Sequence, residues 1–185
     1  MDQHNNKKKL AILINVVAPY RAPIYEYLSK EFETVVLSGG TEANRSWNMQ
    51  STQSLKIEKV WGIKFKSSKM TGINGVTDTL YIHIPLGLLF KLPQFKPDVI
   101  VSNEMGFRSL IALFYGKLMR IPVWIWWGGT LHSERYASRL RSLLRPLFVR
   151  FTKHWISYGM TSTEYLLSIG VPQKKYSWNS ELRSA

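Results

Sequence analysis

The sequence predicts an α/β fold built on a doubly wound, mainly parallel sheet. Three observations carry that expectation. Short apolar runs at 10–16, 99–101 and 121–127 are too short to span a membrane and have the unbroken hydrophobicity of strands buried on both faces. Between them, apolar residues recur at helical spacing. Strand and helix then alternate strictly through the second half, which is the pattern of parallel strands joined by crossover helices.

Taken in order, the run at 10–16 is a first central strand, followed by a two-proline loop from Ala18 to Pro23 and a helix through Tyr25, Leu28 and Phe32. Residues 34–37 form a second strand that ends at Ser38, Gly39 and Gly40. A polar loop is expected over 41–52, and the alternation of Leu55, Ile57 and Val60 suggests a half-exposed strand or hairpin within 53–66. A turn-rich break at 69–75 precedes another strand at 79–84 and a short helix at 86–92. The strand at 99–101 leads to a helix whose Phe107, Leu110, Ile111, Phe114 and Leu118 are expected to face the sheet. After the strand at 121–127, Leu140, Leu143, Leu144, Leu147, Phe148 and Phe151 mark a long helix, with Pro146 inside it. A strand at 155–158 and a helix at 162–169, stopped by Gly170, complete the pattern. Residues 1–9 read as a flexible basic N-terminus, 10–178 as one domain, and 179–185 as a tail.

Composition narrows the partners. The 185 residues include 25 basic and 12 acidic side chains, a formal charge of +13, which favours an anionic partner such as nucleic acid or a membrane surface. Cysteine is absent, excluding disulfides and thiolate metal sites, and the four histidines show no metal-ligand spacing, so no metal site is expected. Lys7, Lys8 and Lys9 before an apolar run resemble a signal peptide, but Asn15 and Pro19 favour a buried strand instead. From Arg135 to Lys153 the basic residues are Arg135, Arg139, Arg141, Arg145, Arg150 and Lys153, with no acid until Glu164. That helix is expected to touch anionic lipid headgroups. Nucleic acid is the rival, made less suitable because Trp124, Trp126 and Trp127 belong to a strand that should be buried.

Candidate chemistry lies at the strand ends. In open α/β sheets the ligand crevice is outside the carboxyl ends of the strands. Here those ends carry Tyr20 and Arg21, Asn103 and Glu104, the turn from Gly128 through Gly129, Thr130 and His132 to Glu134, and Tyr158 with Ser162. Amide, carboxylate, imidazole and guanidinium groups in one crevice suit a polyhydroxylated ligand, and Arg21 alternatively suits a phosphate. The plainer reading of the glycine turn is a tight βα connection with a capping hydroxyl at Ser133. No G-x-G-x-x-G, G-x-x-x-x-G-K-[ST] or G-x-S-x-G pattern occurs, so a dinucleotide site, a P-loop and a serine-hydrolase elbow find no support.

Several of these stretches together resemble glycosyltransferase family 4: PYRAPIYEYL after the first strand, PDVIVSNE, WIWWGGTLHSE, and EYLLSIGVPQKK at 164–175. The resemblance covers about 10–175 and is narrowest to the N-terminal, acceptor-side, Rossmann-like half of the two-domain GT-B architecture. It implies sugar transfer from a nucleotide-sugar co-substrate to a glycan or lipid-linked acceptor at the cytoplasmic face of a membrane. It implies no metal or other cofactor, and donor binding mainly by a second domain. Many members carry a histidine directly after the strand matching 121–127. Trp127 and Gly128 stand there in this chain, and the nearest imidazole, His132, is the candidate catalytic group, with Glu134 an acceptor contact. The family would continue into its donor domain after Asn179, so the expectation is a truncated or split enzyme, inactive alone, with a separate donor-domain chain as a possible partner. The rival from another class is a non-catalytic basic module for membrane or nucleic acid.

Overall fold

A computed structural model describes residues 7–39, 55–70, 77–135 and 139–173. The elements are β1 (Lys9–Ile14), a 3-10 turn (Pro19–Arg21), α1 (Ala22–Glu31), β2 (Glu33–Ser38), β3 (Lys56–Lys59), β4 (Ile63–Met70) and β5 (Thr77–Ile84). They continue with α2 (Leu88–Phe95), β6 (Val99–Asn103), α3 (Phe107–Met119), β7 (Val123–Trp127), α4 (Arg139–Phe151), β8 (His154–Ser157) and α5 (Met160–Ser168).

Six strands form one sheet in the order β3-β2-β1-β6-β7-β8, every pairing parallel. β1 is central, and its Leu10 to Ile14 are all buried, which is why its run shows no polar alternation. The pleat still sorts it. Ala11 and Leu13 join a core with Leu88, Ala112, Tyr115, Phe148 and Tyr165, whereas Leu10, Ile12 and Ile14 pack with Tyr25 on the opposite face. Helix α1 therefore covers one face, and α2 to α5 supply the other. From β1 the chain winds outward to β2 and β3, and from β6 in the opposite direction to β7 and β8. The reversal between β1 and β6 opens a crevice at their carboxyl ends.

The strand expected at 79–84 is β5, which pairs antiparallel with β4 as a separate two-stranded sheet. Two helix faces need correction. In α3 the buried side chains are Ser109, Ala112, Tyr115 and Gly116, while Phe114 and Leu118 face solvent. The reason is the close approach of this helix, since a Cβ on Gly116 would stand 2.3 Å from Val123 Cγ2. Only small residues fit that seam, and the bulky ones turn outward. In α4, Phe148 is fully buried and Leu144 partly, but Leu143, Leu147 and Phe151 are exposed.

Pro146 does lie inside α4, and Gly170, at φ +89°, follows the end of α5 as expected. The polar loop at 41–52 and the tail at 179–185 lie outside the described residues, as does most of the break at 69–75.

Candidate functional site

The crevice between β1 and β6 is organised by Arg21. The two prolines of the connecting loop bring the chain back over the strand end, with Pro19 opening the 3-10 turn that delivers Arg21 to the rim. Asn103, the last residue of β6, is buried. With its amide oriented to satisfy both neighbours, its Oδ1 accepts from Arg21 Nη1 at 3.0 Å and its Nδ2 donates to the Trp126 carbonyl at 3.0 Å. The guanidinium carbon lies 5.2 Å from the Tyr158 ring centre, 5.7 Å from that of Tyr20 and 5.8 Å from that of Trp126. Trp126 and Tyr158 stack on each other at 5.2 Å. One cation thus ties together the ends of β1, β6, β7 and β8, through a charge-assisted bond and ring faces.

Two groups in this cluster have unusual surroundings. The Arg21 Nε is buried and makes no hydrogen bond of good geometry, although the buried Tyr25 hydroxyl interacts with the guanidinium. Burial pushes the Tyr158 phenol up to about 12 against the opposing charge of Arg21, so the hydroxyl stays protonated over the physiological range. Glu104, exposed beside them, adopts φ +71°. A glutamate held in the left-handed region is strained. Its conformation is supported by its N–H donating to the Trp126 carbonyl at 3.1 Å and by its carbonyl accepting from Ser109 Oγ.

The glycine turn is built differently from the sequence reading. Gly128 lies against Tyr158, where a Cβ would come within 2.6 Å of the ring, and Gly129 lies against Trp127 and Glu134. Thr130 and Ser133 close their own turn: the Thr130 N–H donates to Ser133 Oγ at 2.9 Å, and the Ser133 N–H to Thr130 Oγ1 at 3.2 Å. Helix α4 begins only at Arg139, so the glycines do not open a helix directly. Ser133, expected as a capping hydroxyl, instead closes this turn with Thr130, and α4 spans Arg139–Phe151.

Of the remaining candidates, His132 is exposed, and its Nδ1 lies 2.6 Å from Arg135 Nη2. No hydrogen bond joins it to Arg21 or Asn103. Glu134 is half-buried and forms an ion pair with Arg145. Arg145 therefore has to be withdrawn from the membrane-facing set. It is buried under the turn, 5.0 Å from the ring centres of both Trp127 and Tyr165, because the charged head finds its counterion inward. Arg141, Arg150 and Lys153 are exposed, and Arg139 opens α4.

Sequence reasoning missed His83. Its ring is wedged between Gly39 and Gly62, whose added Cβ atoms would lie 2.8 Å from Nδ1 and 2.6 Å from Nε2, and Asn15 Oδ1 is nearby on the Gly39 side. Burial lowers its pKa, helped by the charges of Lys64 and Arg108, and its buried Nε2 has no partner. The hairpin carries this imidazole to the carboxyl ends of β1 and β2. Only the glycine pair at 39–40 hinted that something approaches closely there.

No protein-family model and no curated protein matches the chain. Among solved structures it is similar to HepE of Anabaena in complex with UDP, at 11% identity and TM-score 0.59 over 91% of this chain and 42% of that one. It is also similar to S. aureus MnaA with UDP (13% identity, TM-score 0.55, 91% and 44%). A third likeness is to UDP-GlcNAc 2-epimerase from Methanocaldococcus jannaschii (15% identity, TM-score 0.50, 91% and 44%). The likeness establishes the fold: a Rossmann-like half of a GT-B architecture. The chain spans less than half the length of each of these structures.

Proposed function

We propose that this chain supplies the acceptor-side half-site of a sugar-nucleotide-dependent enzyme that transfers a sugar to a glycan or lipid-linked acceptor. The observation that carries the reading is the Arg21 bracket: a cation fixed by Asn103, flanked by Tyr20, Trp126 and Tyr158, whose buried Nε makes no hydrogen bond of good geometry. Ring faces pack on the apolar face of a sugar, and a fixed guanidinium with a neutral phenol beside it hydrogen-bonds hydroxyls or an acidic substituent. Support for a sugar-nucleotide context comes from structural neighbours whose names include UDP-GlcNAc 2-epimerase and complexes with UDP.

In this reading Arg21, Tyr20, Trp126, Tyr158 and Glu104 contact the acceptor. Asn103 positions Arg21. Gly128 and Gly129 let the backbone approach the ligand, and Glu134, held by Arg145, positions the turn that carries Thr130 and His132. The nucleotide-sugar is a co-substrate held mainly by a second lobe, either on the same polypeptide or on a separate chain. Transfer between two held substrates needs both half-sites assembled.

Ligand-observed NMR with a panel of oligosaccharides, set against UDP and UDP-sugars, tests the assignment. A glycan should bind, and Arg21→Gln should weaken it by about tenfold or more, the usual loss of a charge-assisted hydrogen bond. Arg21-dependent binding of UDP with no glycan bound would instead make this the nucleotide site, and the acceptor assignment would fail.

A further inference from the structure

Large apolar side chains that helical spacing should have sent to the core stand in solvent on α3 and α4. Phe114 and Leu118 are 67% and 68% exposed, and Leu143 is 73% exposed with Leu147 and Phe151 also in solvent. Their spacing of four places each set on one side of its helix. Between the C-terminal turns of these helices and the amino ends of β7 and β8 lies a groove of about 730 Å³. Phe114, Leu113, Pro122 and Phe151 form apolar walls, and Lys117, Arg120, Arg150 and Lys153 form the rim, with no carboxylate in the lining.

The rim is charged beyond ordinary need. A helix C-terminus carries a partial negative charge that one nearby cation complements. Here four cations surround two helix ends, and among the described residues none of the four is ion-paired to a carboxylate. Two of them lie on the same apolar residue: Lys117 Nζ is 5.5 Å from the Phe151 ring centre and the Arg150 guanidinium carbon is 5.9 Å from it.

We infer that this groove is a docking site for an anionic phospholipid bilayer. The phosphate headgroups sit on the Lys117, Arg120, Arg150 and Lys153 rim while Phe114, Leu118 and Phe151 enter the acyl boundary. Cations beside an exposed apolar ridge match an interfacial surface. A nucleic-acid backbone would use the charge and leave the aliphatic side chains in water. No helix among the described residues is long and apolar enough to cross a membrane. The groove lies at the amino edge of the sheet and the Arg21 crevice at the carboxyl edge, so lipid docking and acceptor binding are separable.

Co-sedimentation with vesicles of phosphatidylcholine, with and without phosphatidylglycerol, tests the inference across a salt series. Pelleting should require phosphatidylglycerol and fall as salt rises. Lys117→Glu with Lys153→Glu should reduce it about tenfold or more, and the milder Lys117→Gln with Lys153→Gln should reduce it less. Phe114→Ser with Leu118→Ser should also weaken it at unchanged charge. Lys30→Glu with Lys59→Glu, an equal charge change elsewhere, should leave it within about twofold and thereby separate the groove from net charge. Equal loss in that control, no pelleting on anionic vesicles, or groove-dependent binding of duplex DNA in preference to vesicles would overturn the docking site. The groove variants should keep any glycan binding, so a failure here is distinct from a failure of the acceptor reading.

Discussion

Glu134 and Arg145 share a charge-assisted hydrogen bond beneath the glycine turn, with only 11% and 10% of their side chains exposed. The pair joins a loop to the middle of α4, and the guanidinium lies 5.0 Å from the ring centres of both Trp127 and Tyr165, which stack on each other 5.6 Å apart. The turn between β7 and α4 is therefore anchored from below, although its upper side, at Leu131 and His132, is in solvent.

Removing one partner should cost more than removing both. Arg145→Ala and Glu134→Ala each leave a nearly buried charge without its counterion, a loss of about 3 kcal/mol for a pair this enclosed. The double variant should fall well short of the sum. Urea unfolding of the four proteins in the cycle measures this directly, and additive losses would show that the two charges are not coupled.

The adjacent glycines should behave differently. A Cβ on Gly129 would stand 2.3 Å from Trp127 Cζ2, and Trp127 is buried, so Gly129→Ala should destabilise the fold by about 1–3 kcal/mol. Gly128→Ala would push on Tyr158, which is only partly exposed and lies at the surface end of the Arg21 cluster rather than in the core. It should cost less stability but disturb the Arg21 bracket. Comparing thermal unfolding with glycan binding for the two variants separates these effects.

Alkaline titration should find two late phenols. Burial raises both Tyr158 and Tyr165 to about 12, with Arg21 and Arg145 respectively pulling the other way. Because the folded state holds these protons more tightly than the unfolded chain, their contribution to stability is complete below about pH 10 and is lost as pH climbs towards 12. Tyrosinate absorbance should show both groups ionising well above the usual phenol value of about 10. In Tyr158→Phe and Tyr165→Phe the loss of stability at high pH should be smaller.

His83 should act in the acid range. Its folded-state pKa is depressed, first by burial and then by Lys64 and Arg108. The unfolded chain therefore takes up a proton there before the folded one does. Stability tied to His83 is present above about pH 6.5 and declines as pH falls through and below it. An NMR titration of the ring protons should give a midpoint below about pH 6.5, and an ordinary value would place the imidazole in water.

Much of the sheet was legible because burial on both faces leaves an unbroken apolar run, as from Leu10 to Ile14. The crevice was legible for a related reason: Arg21 and Asn103 follow such runs, and strand order brings their ends together. Helix faces were harder. In α3 the inward side is chosen by size, with Ser109 and Gly116 facing in, and a search for apolar periodicity points to Phe114 instead. Arg145 looked like surface because its counterion is eleven residues away across a turn. His83 was hidden for a topological reason, since nothing in a half-polar strand says which other strand it will pair with.

The β4–β5 hairpin shares no ladder with the six parallel strands. Yet it delivers His83 to the carboxyl ends of β1 and β2, beside Gly39. Its composition is thus released from the register that constrains β1, β2 and β6. Substitutions along the hairpin therefore need not disturb the ladder of the six-stranded platform beneath.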